Sequence, residues 1–180
     1  SNSFRYSNII HITYFFTPET IQAFDFSKAL EARTIYFCGG KSQKPLKLPQ
    51  SLSLYSVRVK DFDGPFQLPP EHNIRELLLY RTMMKSLLNF DDIYSVKLYC
   101  LTVSSLTGLG SGNRVVEVNY CPFIKDFSPL RHCDKVTIRN CQGFQDIDQV
   151  RGVKDLIFSP VDVNKLPKDM EGVGCLIFVK

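Results

Sequence analysis

Pairs of apolar residues separated by a single position recur along most of this chain. Each pair follows the previous one by 20 residues in five steps and by 19 residues in one step. The pairs are Val57 and Val59, Leu77 and Leu79, Val96 and Leu98, Val116 and Val118, Val136 and Ile138, Leu156 and Phe158, and Leu176 and Phe178. Strand side chains alternate between two faces, so each pair predicts a short strand with one apolar face. The pattern therefore predicts a stack of parallel strands, one in each repeat.

A further position in each repeat predicts where the chain turns to cover the core. It lies three residues beyond the second apolar residue of the pair. The residues at this position are Phe62, Thr82, Leu101, Cys121 and Cys141. No single repeat buries its own apolar face, so we expect stability to come from contacts between neighbouring repeats.

These repeats resemble the leucine-rich repeat family over nearly the whole chain. Segments Cys133–Val153 and Val153–Val173 follow the family pattern L-x-x-L-x-L-x-x-N/C-x-L with departures. Over the whole array, Cys, Leu, Thr and Phe largely replace the asparagine of this pattern. The resemblance implies a β-rich α/β repeat solenoid of about eight or nine units. It also implies a right-handed horseshoe with a parallel β-sheet on its concave face and a mostly irregular convex side.

The two ends of the sequence differ from its middle. Residues 1–31 fit the repeat poorly and are interpreted as a divergent N-terminal unit or cap, whereas residues 32–180 form the predicted leucine-rich repeat array. Solenoids need a polar cap over the last apolar layer, and the sequence ends directly after Phe178. We therefore expect an array truncated at its C-terminus. The glycine-rich segment 108–112 is predicted to be a flexible turn that loosens the array.

Composition and charge narrow the class of function. The net charge of +4 arises from 22 basic and 18 acidic residues, which is too small an excess to favour nucleic-acid binding. No apolar run reaches about 18 residues, so a membrane span is not expected. The six cysteines do not cluster at either end, unlike those of disulfide-capped extracellular members of the family. We expect reduced thiols in a cytoplasmic protein, or in one delivered to a host cytosol.

Residues suited to catalysis or metal binding are scattered. His11, His72 and His132 lie in different repeats, and the register pairs no nucleophile with a base. No repeated pair of Cys or His residues has the spacing of zinc ligands. The sequence therefore predicts no catalytic residue, no metal and no cofactor, and we expect the chain not to be an enzyme.

The solvent-facing strand residues are the predicted binding surface, because the concave face of a solenoid is extended and rigid. Its middle gathers basic and aromatic residues, which are common at interface hot spots and favour an acidic protein or peptide partner. The predicted contact residues are Arg58, Lys60, Tyr80, Arg81, Lys97, Tyr99, Glu117 and Arg139. A second contact, at the edge of the sheet, is predicted at Ile157, Ile177 and Phe178. An ordinary solvated sheet face is the alternative interpretation of each of these residues.

The main functional hypothesis is a non-catalytic scaffold that binds a protein partner through the concave sheet face. One alternative is the substrate-recognition module of a ubiquitin ligase or effector, with its other domain outside this sequence. The other is an architectural subunit that self-associates through its exposed terminal strand.

Overall fold

The computed structural model describes residues 33–41, 46–48 and 54–159, together with the backbone of Cys175–Phe178. The chain falls into two compact units, Ser1–Met84 and Lys85–Lys180. The predicted N-terminal unit at residues 1–31 lies outside the described residues.

Among the described residues of the first unit, three parallel strands belong to one sheet, and the middle strand is paired on both sides. They are β1 (Thr34–Cys38), β3 (Ser56–Lys60) and β5 (Glu76–Tyr80). Ile35 pairs with Val57, and Val57 with Leu77, so the apolar residues stack in one column. Two shorter strands, β2 (Leu46–Lys47) and β4 (Phe66–Gln67), form a separate parallel pair within the turns.

The described part of the second unit has five parallel strands. They are β6 (Ser95–Tyr99), β7 (Val115–Asn119), β8 (Lys135–Arg139), β9 (Asp155–Ser159) and β10 (Cys175–Phe178). Each strand pairs with the next at an offset of 20 residues, as Val116 does with Val136. The helices in the described part of the chain are two short 3₁₀ helices, Ser128–Leu130 and Ile147–Val150. The predicted repeat solenoid with parallel strands is therefore confirmed.

The core lies beneath the strands, where alternate residues point inward. In β7, Val116 and Val118 are fully buried while Val115, Glu117 and Asn119 remain partly exposed. The turn position, three residues beyond the second apolar residue of each strand, is also buried, at Phe62, Thr82, Leu101, Cys121 and Cys141. Both burial predictions made from the apolar spacing are confirmed for these residues.

A left-handed residue follows each long strand from β1 to β8. The residues with positive φ at this position are Gly39, Asp61, Arg81, Cys100, Tyr120 and Asn140. The N–H of the left-handed residue donates to the carbonyl that ends the next strand of the same unit, for example from Tyr120 to Arg139 at 3.0 Å and from Asn140 to Ser159 at 2.8 Å. Residues other than Gly, Asn and Asp rarely adopt this conformation. The bond to the next strand therefore helps to hold a strained turn.

Asp126 and Asp146 recur at the same repeat position, and each accepts a hydrogen bond from the backbone two residues later. The Oδ1 atom of Asp126 accepts from the N–H of Ser128 at 2.9 Å, and that of Asp146 accepts from Asp148 at 2.9 Å. The hydrogen bonds from Ser128 lower the pKa of Asp126. Asp146 is the N-cap of its 3₁₀ helix, whereas Asp126 lies one residue before the N-cap Phe127. The recurrence of this aspartate is thus explained by the backbone bond that it accepts in the turns of the second unit.

Glycines in the turns of the second unit pack against the backbone of the preceding repeat. A Cβ on Gly143 would lie 1.8 Å from the carbonyl oxygen of Ile124. A Cβ on Gly108 or Gly112 would lie 2.3 Å from the carbonyl oxygen of Leu87 or Asp91, respectively. The expected loosening of the array at 108–112 is therefore wrong. Because glycine has no Cβ, the backbone of the preceding repeat can occupy the space beside these residues.

Buried Asn113 replaces an apolar residue in the same region and has partners for its amide. Its Nδ2 donates to the carbonyls of Phe90 at 2.8 Å and Ile93 at 2.6 Å, and its Oδ1 accepts from the N–H of Gly110 at 2.8 Å. The side chain thus joins two neighbouring repeats without leaving a polar group unsatisfied.

Candidate functional site

The solvent-facing residues of β6–β9 form a surface that we call the outer strand face. The first, third and fifth residues of each strand lie on this side, because the second and fourth point into the core. All of the residues on this side are at least partly exposed except Thr137, which is 7% exposed. The third residues are Lys97, Glu117, Thr137 and Ile157, and the fifth are Tyr99, Asn119, Arg139 and Ser159. The strand register aligns each set in a row, as the 20-residue period predicts.

A recess of about 230 Å³ opens on the outer strand face, and we call it the polar recess. It is lined by Tyr99, Glu117, Asn119, Lys135, Thr137, Arg139 and Ile157. Four of these residues, Tyr99, Glu117, Arg139 and Ile157, are among the predicted contact residues. Lys135 was not predicted, although it lies two residues before Thr137 and the alternation of the strand places it on the same face.

Tyr99 and Glu117 are joined across neighbouring strands at one side of the recess. The Tyr99 hydroxyl donates a hydrogen bond to Oε2 of Glu117. Burial raises the pKa of Tyr99 to about 12, and the bond to Glu117 and the charge of that carboxylate contribute further. Tyr99 therefore stays protonated at neutral pH and remains a donor to the Glu117 carboxylate.

The two cations of the recess are Lys135 and Arg139, and Asp155 is the register partner of Lys135 in β9. Neither side chain forms an ion pair with any residue that the structure describes. The Nε atom of Arg139 is buried and has no hydrogen-bond acceptor among those residues. A buried donor without an acceptor is costly, so Arg139 has hydrogen-bonding capacity that the described residues leave unused.

Cations beside this surface, in contrast, are paired. Arg114 contacts the Asp134 carboxylate through Nε and Nη2, each at 3.1 Å. Lys154 contacts the same carboxylate at 3.2 Å. These three residues occupy one repeat position just before the strands, and both cations are paired with the same carboxylate. Lys135 and Arg139 of the recess form no such pair with a described residue.

The first unit holds the other predicted contact residues, Arg58, Lys60, Tyr80 and Arg81. Lys60 and Tyr80 are partners in the β3–β5 register, and the Lys60 ammonium lies 5.5 Å from the centre of the Tyr80 ring. The Arg81 guanidinium lies 4.7 Å from the same ring. Arg81 follows the end of β5 and pairs with Asp61, its Nε lying 2.6 Å from Oδ1. The predicted residues therefore form two groups, one within each unit.

The residues predicted to make an edge contact are only partly described. Ile157 is half-buried and lines the polar recess. The backbones of Ile177 and Phe178 pair with Ile157 and Phe158 in parallel register. The side chains of Ile177 and Phe178 lie outside the described residues.

The buried thiols behave as structural groups. The Cys121 sulfur lies 3.5 Å from the carbonyl oxygen of Asn119 and 3.6 Å from that of Leu98, and the Cys141 sulfur lies 3.2 Å from that of Arg139 and 3.6 Å from that of Val118. Burial raises the pKa of Cys121 and Cys133 to about 11. The thiolate is the nucleophilic form, so these side chains are poorly suited to nucleophilic chemistry near neutral pH.

Two other kinds of site are not found in the described residues. No group of three or more His, Cys, Asp or Glu side chains is placed there to hold a metal ion. No helix in the same part of the chain is long and apolar enough to cross a membrane.

The strand register and the stacked apolar columns define a repeat solenoid built on parallel β-strands. No protein-family model, no curated protein and no solved structure matches the chain.

Proposed function

We propose that this chain is a non-catalytic interaction scaffold that binds a protein or peptide partner through the outer strand face. The polar recess is the observation that carries the proposal. It places Tyr99, Lys135 and Arg139 around one concavity on a surface whose strands are hydrogen-bonded to one another in continuous register. Such a surface loses little conformational freedom on binding, which favours recognition of a partner.

The chemistry of the face also fits a protein partner. Tyrosine and arginine are enriched at interface hot spots, because each combines a large contact area with polar groups. Lys97 adds a third positive charge in the row that contains Glu117 and Thr137. An acidic partner would complement this charge and associate faster as a result.

Membership of the leucine-rich repeat family is part of the same proposal. The family pattern has Asn or Cys after the strand, where this chain has Cys121 and Cys141. Each thiol lies within hydrogen-bond distance of a carbonyl of the preceding repeat as well as one of its own repeat, so it can bridge successive repeats as an asparagine at this position would. This bonding supports the resemblance that the sequence pattern suggests.

A peptide library panned against the folded full-length chain tests the proposed function. We expect selected peptides to shift amide resonances of β6–β9 in nuclear magnetic resonance spectra. Hot-spot residues contribute about 2 kcal/mol or more, so Tyr99→Ala should weaken peptide binding by about 30-fold. The matched control is Phe123→Ala, which removes an aromatic ring that is 55% exposed in a turn.

The proposal fails if no peptide is enriched, or if the enriched peptides shift only resonances of the turns. It also fails if Tyr99→Ala and Phe123→Ala bind the selected peptides equally well. Urea denaturation of both variants, with the wild type alongside, separates lost binding from lost folding.

A further inference from the structure

The polar recess offers several hydrogen-bond donors, and its acceptors on Glu117 and Asn119 are each already bonded by one donor. Lys135 and Arg139 supply an ammonium and a guanidinium, and both lack an ionic partner among the described residues. Oδ1 of Asn119 already accepts from Nδ2 of Asn140 at 3.3 Å, so the amide nitrogen of Asn119 remains as a donor. The ligand that satisfies such a set is an anion with oxygen acceptors.

The one carboxylate in the recess, that of Glu117, is engaged by the Tyr99 hydroxyl. Glu117 forms no ion pair with Lys135 or Arg139. The recess therefore contains two positive charges and one negative charge. An incoming anion meets a net positive surface, with the Glu117 carboxylate held to one side by Tyr99.

The size of the recess limits what it holds. Its volume of about 230 Å³ lies below the range of roughly 300–1,000 Å³ that is usual for drug-sized ligands. One amino-acid side chain is therefore a better match than a whole small molecule. Ile157 adds an apolar wall to the otherwise polar lining, where the methylene groups of a side chain can pack.

We propose that the polar recess binds the carboxylate of an aspartate or glutamate side chain on the protein partner, with Lys135 and Arg139 as its positive ligands. The guanidinium fork of Arg139 matches the geometry of a carboxylate, and such charge-assisted hydrogen bonds are stronger than neutral ones. This inference rests on the proposed function, because it names the chemical group by which the partner is anchored.

Titration of the full chain with small analogues tests the inference directly. The probes are the N-acetyl amides of glutamate and glutamine, which have the same shape and differ in charge. The methyl resonances of Thr137 and Ile157 report on the recess, and those of buried Ile124 serve as an internal control. We expect glutamate to shift the recess methyls and to bind at least about tenfold more tightly than glutamine.

Matched charge removals complete the design. Lys135→Gln and Arg139→Gln should each weaken binding of the glutamate analogue by about tenfold or more. Lys125→Gln removes the same charge from an exposed turn position and should leave the affinity unchanged. If the urea denaturation curves of the three variants match that of the wild type, the differences in affinity arise in the recess and not from lost folding.

Three results would overturn the assignment of a carboxylate. They are equal affinity for the glutamate and glutamine analogues, equal effects of Lys135→Gln and Lys125→Gln, and a phosphoserine analogue that binds more than about tenfold tighter than glutamate. The last result would assign the recess to phosphate instead. If panned peptides bind the outer strand face but tolerate glutamine in place of every acidic residue, this inference fails and the proposed function stands. If the glutamate analogue binds while panning enriches no peptide, the recess stands and the proposed function fails.

Discussion

Thr82 is a polar residue at a repeat position that is otherwise apolar or a thiol. It is 1% exposed, and its hydroxyl has no hydrogen-bond partner among the described residues. The same position holds Phe62, Leu101, Cys121 and Cys141 in the other repeats. Thr82 therefore leaves a polar group buried without compensation, which lowers the stability of the first unit.

Thr82→Val is predicted to stabilise the protein by about 1 kcal/mol, because the methyl group replaces an unsatisfied hydroxyl of similar size. Urea denaturation of the two proteins measures the difference. Thr102→Val, at an exposed position, should leave the free energy of unfolding nearly unchanged. A loss of stability in Thr82→Val would show that the hydroxyl has a bonding partner after all.

Tyr99 is the residue whose ionisation the outer strand face alters most clearly. Its pKa rises from 10.0 to about 12. The folded state thus binds this proton more tightly than the unfolded state, so the contribution to stability is complete below about pH 10 and disappears as the pH rises to about 12. Ultraviolet absorbance of tyrosinate during an alkaline titration measures the pKa.

The tyrosinate absorbance change near pH 12 should be missing from Tyr99→Phe. In Glu117→Gln it should move to lower pH, because the negative charge beside the Tyr99 hydroxyl is removed. If Tyr99→Phe instead removes a transition near pH 10, the burial and bonding of this hydroxyl do not hold in solution.

Residue-level features were predictable where they follow from alternation. The inward and outward positions of β6–β9, and hence the placement of Tyr99, Glu117 and Arg139 on one surface, follow from a period of two within strands and of 20 between them. The Tyr99–Glu117 bond and the unpaired state of Lys135 were not predictable. They depend on side-chain conformations and distances that a linear pattern does not contain.

At the scale of elements, the turn after each strand combines backbone strain with an interstrand hydrogen bond. Tyr120 has a φ of 53° and is 58% exposed. A bulky residue in this conformation costs about 1–2 kcal/mol relative to its preferred regions. These turns were not predictable from the sequence, because Asp, Arg, Cys, Tyr and Asn take a position that usually favours Gly.

Tyr120→Asn is predicted to raise the stability by about 1 kcal/mol, because asparagine tolerates the left-handed region far better than tyrosine. Thermal and urea denaturation measure the gain. Phe123→Asn is the matched control, since it also removes an exposed aromatic ring but lies outside the set of positive-φ residues. Equal effects of the two substitutions would argue against strain at Tyr120.

The close approach of neighbouring turns gives a second prediction at this scale. Gly143→Ala would place a methyl group 1.8 Å from the Ile124 carbonyl oxygen and should cost about 1–3 kcal/mol or more. Gly110→Ala meets only the Asp91 side chain, at 3.2 Å, and should cost much less. Urea denaturation compares the two variants. A similar loss in both would mean that the turns are farther apart than the structure shows.

At the scale of the whole molecule, the solenoid makes stability a sum of local contacts. Ile138 is 1% exposed in β8, between β7 and β9. Each strand contacts only its neighbours in the sheet, so damage to one repeat should spread mainly to the adjacent ones. In a protein with one shared core, the same damage would lower protection against hydrogen exchange in every strand.

Ile138→Ala is predicted to cost about 2–5 kcal/mol and to speed hydrogen exchange most in β7, β8 and β9. Exchange in β1 and β3, which belong to the other unit, should change far less. Mass spectrometry of proteolytic fragments measures the exchange of each strand. A uniform increase over both units would show that the chain unfolds as a single cooperative body.

The architecture at this scale was the most predictable level, because a constant period leaves few ways to bury the apolar pairs. The division into the units Ser1–Met84 and Lys85–Lys180 was not predicted. The sequence pattern continues through residue 84 with a step of 19 instead of 20, which is too small a change to mark a boundary.

The bond from a left-handed residue such as Gly39 to the next strand of its unit also bears on how such a chain can change in length. Thr34 pairs with Ser56, 22 positions later, whereas Ser56 pairs with Glu76, 20 positions later. In both repeats the strand and the positive-φ residue after it keep their spacing, so the extra residues are absorbed in the remaining loop. Insertion of whole repeats, or of residues in the loops away from the strands, preserves each junction between a strand, its left-handed residue and the next strand. An insertion between a strand and its turn residue would break the junction, so natural variation and engineered grafts should both be confined to the loops.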